Sequence, residues 1–186
     1  MVEQRYQTFW PRFWAAFIDA LVLFPTGYFS TWIYSIGLPS TLNLSYFAFD
    51  TLLGFAYSVG MHGRFGQTLG KMAMKVVVLD RSLGALSWKQ AFVRDLVPIL
   101  IAIAYMVDVS GLVLDGVNPD ELYEKGYRMS PLLSLAFFWM AAELLTMLTN
   151  DKRRALHDFI AKSVVVKRSN STVNPDAPPS GGAPVT

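Results

Sequence analysis

Three carboxylates stand inside apolar stretches of the chain. Asp19 falls in the stretch from about Phe13 to Gly37, Asp50 in that from about Leu42 to Met61, and Glu143 in that from Pro131 to about Thr149. On a helix, Arg12, Asp19, Thr26 and Ser30 fall within about 40° of one another, with Ala16 beside them. Asn43, Asp50 and Tyr57 align at seven-residue spacing near Gly54, and Ala136, Glu143 and Asn150 form a third row. Such stripes suit a proton or a hard monovalent cation: a carboxylate exchanges one for the other, hydroxyls add oxygen ligands, and a guanidinium shifts the carboxyl pKa. Asp19, Asp50, Glu143, Thr26 and Ser30 are the candidate ion or proton ligands, with Arg12, Arg94 and Asp95 as charge-tuning groups. At about 1.5 Å per residue, Asp19 and Glu143 each lie roughly 9 Å from the same end of their helices, a level at which they can meet. The plainer alternative is that these charges dock helices as buried salt bridges.

The elements that position these residues are membrane helices. Of the 186 residues, 53% are apolar and 16% charged, where a soluble domain carries about 25% charged residues. Three apolar stretches meet the length of about 20 residues that a span needs. The fourth, Leu96 to Val107, is too short alone and must begin near Ala91, which draws Arg94 and Asp95 to the membrane edge. Ser87 and Gln90 form a capping-box pattern for a helix starting at Trp88, and Pro98 is expected to kink it. The fold class is an all-α membrane protein with four transmembrane helices and a small cytoplasmic cap of two short β-strands, Lys75 to Leu79 and Ser163 to Lys167. Residues 1–168 form the membrane domain. Residues 169–186 are Pro, Gly, Ser, Asn and Thr with few apolar side chains, the composition of a disordered tail.

Other function classes have little support. There is no cysteine, so disulfides and thiolate metal sites are excluded. His62 and His157 sit at span boundaries without a metal-ligand pattern, and no nucleophile has a legible base beside it. Gly63, Gly66 and Gly70 surround a charged loop and match no phosphate loop. No enzyme, cofactor or metal is expected, and a net charge of +2 gives no nucleic-acid footprint. Of sixteen Lys and Arg, only Lys125 and Arg128 fall between Asp108 and Ser130. The other fourteen place both ends and the central loop in the cytoplasm. A short extracytoplasmic helix is expected from Asn118 to Gly126.

Three ordered strings, RFWAAFID (Arg12 to Asp19), FGQTLGKMAMKVVVLD (Phe65 to Asp80) and RRALHDFIAKSVVV (Arg153 to Val166), resemble the RDD family of small bacterial membrane proteins. The resemblance covers about residues 5 to 167 and assigns Arg12, Asp19, Gly66, Gly70, Lys71, Arg154, His157 and Asp158 to its motif positions. Lys162 departs from the pattern, standing where a glycine is expected before the final strand. The resemblance implies transport of small cations exchanged against protons. The expected function is therefore a proton-coupled monovalent-cation antiporter working as a homo-oligomer in the lipid bilayer, with a scaffold or assembly factor as the alternative.

The expected topology is open to single-cysteine labelling, because the native chain has no thiol. Ser82→Cys in sealed cells should resist an impermeant reagent added outside and react after permeabilisation. Labelling without permeabilisation sinks the topology.

Overall fold

The computed structural model describes residues 2–37, 39–115 and 131–168. The helix expected from Asn118 to Gly126 and the tail 169–186 lie outside the described residues. The described chain is mostly helical: α1 (Val2–Arg5), α2 (Phe9–Ser35), α3 (Ser40–Phe65), α4 (Leu69–Ala73), α5 (Trp88–Leu114), α6 (Pro131–Thr149) and α7 (Leu156–Ile160). Two strands, β1 (Val76–Asp80) and β2 (Ser163–Lys167), pair antiparallel from Val76 opposite Lys167 to Asp80 opposite Ser163. Both Pro25 and Pro98 lie within helices, α2 and α5.

Local chemistry sets the boundaries. α3 stops at Gly66, whose φ of 65° is left-handed and whose N–H bonds back to the His62 carbonyl. A Cβ there would come within 2.8 Å of the Val78 carbonyl oxygen, and Val78 N–H donates to the Gly66 carbonyl at 2.8 Å. The α5 start carries both bonds of a capping box: Ser87 N–H donates to Gln90 Oε1 at 3.0 Å, and Gln90 N–H to Ser87 Oγ at 3.2 Å. The Gln90 amide then reaches Asp80 at 2.7 Å and the Ala161 carbonyl at 3.2 Å, fixing α5 to the sheet. β1 starts one residue later than its valine-rich string suggests, because Lys75 has φ 54° and cannot continue a strand. Lys162 has φ 53°, so the turn before β2 holds the left-handed conformation that a glycine would adopt without strain.

The buried apolar side chains gather at the sheet end, where Val76, Val78, Leu86, Ala91 and Val165 form the core against Val59 and Met74. The long helices show the reverse distribution. On α2, Trp10, Phe13, Trp14 and Phe17 are exposed and stack edge-to-face in a ladder. The described helix both long and apolar enough to cross a membrane is the 25-residue stretch Trp88–Leu112 of α5, with a mean hydropathy of 1.8. Ser134–Thr149 of α6 is apolar but shorter. Four spans were expected, and one described stretch meets both criteria; α2 and α3 are 27 and 26 residues long. α2 packs on α3, α3 on α5, and α5 on α6.

α4 lies tight against α2 at Gly70. A Cβ on Gly70 would overlap the carbonyl oxygen of Ala15, a fully buried residue, and come within 2.9 Å of Asp19 Cγ. Backbone cannot swing aside as a flexible side chain does. Gly70→Ala should therefore lower the unfolding free energy in detergent by about 2–3 kcal/mol. At Gly54 a Cβ meets nothing within 4 Å, and Gly54→Ala should leave stability level or raise it by about 0.5 kcal/mol. Equal effects would refute the close approach.

Candidate functional site

Asp19 faces α3 and α4, and its carboxylate is held by neutral donors. Oδ1 accepts the Tyr57 hydroxyl at 2.8 Å and the Gly70 N–H at 2.8 Å, and Oδ2 accepts the Thr68 hydroxyl at 2.6 Å. Tyr57 also accepts the Leu69 N–H at 3.0 Å, so a phenol and a carboxylate together satisfy the free amides at the start of α4. Glycine at position 70 lets that backbone approach close enough for the bond to form.

A second carboxylate gathers the arginines. Asp158 is fully buried on α7. Its Oδ2 accepts Arg12 Nη1 at 2.7 Å and the Ala155 N–H at 2.9 Å; its Oδ1 accepts Arg94 Nη1 at 2.5 Å and the Ser163 hydroxyl at 3.2 Å. Burial by itself would push this carboxyl up, but the Arg12 and Arg94 guanidiniums hold it well below the ordinary carboxylate range. Arg154 clasps the same turn from outside: Nε donates to the Ser163 carbonyl and Nη2 to the Asp158 carbonyl, both at 2.9 Å. Its guanidinium lies over the Phe159 ring, 4.1 Å from the centroid.

His157 is the third member. Arg12 Nη2 lies 3.2 Å and Arg94 Nη2 2.9 Å from its Nε2. Guanidiniums only donate, so Nε2 carries the lone pair and Nδ1 the hydrogen. Nδ1 lies 2.6 Å from Glu143 Oε2, and Glu143 Oε1 accepts the His157 backbone N–H at 3.1 Å. Nearby, His62 Nδ1 lies 2.8 Å from the Ser58 carbonyl and its Nε2 is 2.5 Å from Lys71 Nζ. Burial, then the Arg94 and Arg12 charges, pull the Lys71 ammonium down to about 7.

The expected residues thus separate into different places. Asp19 clasps α4, Glu143 orients His157, and Asp95 accepts the Ser58 hydroxyl at 2.7 Å. Arg12 and Arg94 bind Asp158 and not Asp19. Thr26 donates to the Leu23 carbonyl of its own helix at 2.7 Å, and Ser30 stands one turn further along α2. Asp50 is half-buried on α3, with no hydrogen bond or ion pair among the described residues. Of the motif positions, Gly66 and Gly70 shape the backbone around α4, while Lys71, Arg154, His157 and Asp158 line the charged cluster. Helical periodicity could not reveal the contacts of His62 with Lys71 and of His157 with Arg12, Arg94 and Glu143, because those partners come from other elements; the family resemblance marked His157, and only its place at a span boundary marked His62. An apolar groove of about 440 Å³ between α5 and α6, lined by Val97, Leu100, Ile101, Leu135, Phe138 and Trp139 among others, has none of the candidate ion ligands in its wall.

Removing the Asp158 charge strands two buried guanidiniums. Asp158→Asn should cost about 3–5 kcal/mol in unfolding free energy at pH 7. Because the folded pKa lies below the unfolded one, the unfolded chain binds the extra proton as the solution acidifies. The stabilisation is complete above the ordinary carboxylate range and lost as pH falls below it. Unfolding curves should show a difference between native and variant that narrows as pH falls from 5 toward 3; a difference unchanged between pH 5 and pH 3 would refute this assignment.

The RDD family model matches residues 6–162. No curated protein and no solved structure matches the chain. The matched range takes in Arg12, Asp19 and Asp158 together with the α4 clasp and the charged cluster between them, and the chain belongs to the RDD family.

Proposed function

We propose that the chain is a multi-pass protein of the bacterial cytoplasmic membrane and that its buried charges lock the helix ends into a fixed platform, the work of a non-catalytic scaffold or assembly factor. α2, α3, α5 and α6 are the four spans, with the sheet and both ends on the cytoplasmic side, the orientation that the basic residues favour. The exposed apolar side chains along α2 and α6 suit a lipid environment, and the Trp10 to Phe17 ladder suits the headgroup level where aromatic side chains collect. The single observation that carries the scaffold reading is Asp158, fully buried and bonded at once to a guanidinium from α2 and one from α5. Such a bridge holds elements in place and leaves its charges no freedom to exchange a ligand. Asp19 supports the same reading, since three neutral donors already occupy its two oxygens.

The second reading is the carrier: a homo-oligomer that exchanges a monovalent cation for protons. Asp50 favours it, as a half-buried carboxylate partway along α3 without a bonded partner among the described residues.

Vesicles containing only the purified full chain separate the two. The scaffold reading expects sodium uptake under an imposed pH gradient to match that of empty vesicles. Uptake at least severalfold above that background, abolished by Asp50→Asn in a protein that still folds, would replace the scaffold with the carrier.

A further inference from the structure

His62 and Lys71 meet at the junction of α3 and α4, a contact that neither the Asp158 bridge nor the Asp19 clasp requires. His62 is 3% exposed. Its Nδ1 lies 2.8 Å from the Ser58 carbonyl, a group that only accepts, so Nδ1 holds the ring hydrogen and Nε2 presents a lone pair. Lys71 Nζ occupies that lone pair at 2.5 Å. A second hydrogen on the ring would point directly at the ammonium, so the contact tolerates one mobile proton and not two.

We propose that Lys71 and His62 form a proton-binding pair that takes up one mobile proton from the adjacent aqueous phase, and that loading it loosens the seat of α4 on α2 and α3.

The surroundings set the direction of the effect. The Lys71 ammonium faces Arg12 and Asp19 of α2, Arg94 of α5 and Asp158 of α7; His62 faces Arg94 and His157 in addition to Lys71. Asp158 is already bonded to both guanidiniums, Asp19 to Tyr57, Thr68 and Gly70, and Glu143 of α6 to His157. Asp95 of α5 accepts the Ser58 hydroxyl, which lies 3.4 Å from His62 Nδ1. On β1, Asp80 is engaged by Ser82 and Gln90. Burial and the Arg94 and Arg12 charges together outweigh the attraction of Asp158 and Asp19, so a charged Lys71 is a third cation beside Arg12 and Arg94 that the seated state disfavours. The Lys71 pKa of about 7, against 10.5 for the free group, agrees with this geometry. When α4 lifts away, Lys71 regains water and its ordinary pKa. The lifted state then binds more protons between pH 7 and 10.5, so the seated state gains stability as pH rises through that range and is weakest at or below pH 7.

Two measurements on the purified full chain in nanodiscs test the pair. Side-chain nitrogen resonances of labelled lysine should show one amine, assigned by its loss in Lys71→Met, titrating with a midpoint near 7. Hydrogen exchange across residues 69–73, corrected for the intrinsic rate, should slow at least tenfold between pH 6.5 and 8.5. Lys71→Met, which never takes a proton, should remove that pH dependence. Lys71→Arg, which never releases one, should exchange fast at both pH values. A Lys71 midpoint above 9, or the same exchange slope in native protein and Lys71→Met, overturns the proposal. Neither measurement depends on ion flux, so the result stands apart from the choice between scaffold and carrier.

Discussion

A carboxylate removed from water must be given its counter-charges by the fold, and Asp158 shows how much structure that requirement organises. Its partners are 146 and 64 residues away in sequence, on α2 and α5. Two guanidiniums around one carboxylate leave an excess of positive charge. The fold disperses it: the Arg12 and Arg94 groups also bond the His157 lone pair, Arg12 bonds the Arg153 carbonyl, and Arg94 bonds the Ser163 hydroxyl. Glu143 completes the arrangement from α6, its Oε2 2.6 Å from His157 Nδ1. Each long helix except α3 therefore contributes a charged group to one buried cluster, and α3 borders it through His62.

The Asp19 clasp solves a different problem with the same chemistry. α4 has five residues, too few for helical propensity to hold it. It persists because its first amides find partners in Asp19, Tyr57 and Thr68, and because Gly70 admits contact with α2. The two carboxylates of this network thus differ in kind: Asp158 neutralises charge, and Asp19 terminates a helix.

Much of this architecture was legible in the sequence where the determinants are local. The Ser87 and Gln90 cap, the two valine-rich strands and the polar character of the Arg12 and Asp19 row all follow from short spacings. The pairing of charges did not. A helical wheel compares residues on one helix, so it placed Arg12 beside Asp19, whereas the tertiary packing turns Arg12 to α7 and Asp19 to α4. The strand boundary at Lys75 was illegible for another reason: it rests on left-handed backbone at a residue whose side chain gives no such preference, whereas at Lys162 the glycine expected from the resemblance was the signal for the same conformation.

The order in which the cluster's members occur along the chain has a consequence for synthesis. Arg12 and Arg94 are made early, and the carboxylate that lies between them arrives only with residue 158. Until then each guanidinium must stay hydrated, which keeps the sheet ends of α2 and α5 apart from their final seats. β2 follows within five residues of that carboxylate and closes on β1. Charge neutralisation and strand pairing are thus completed together, by one short segment made after all the long helices, so a chain interrupted before it is left open at the end where the described core forms.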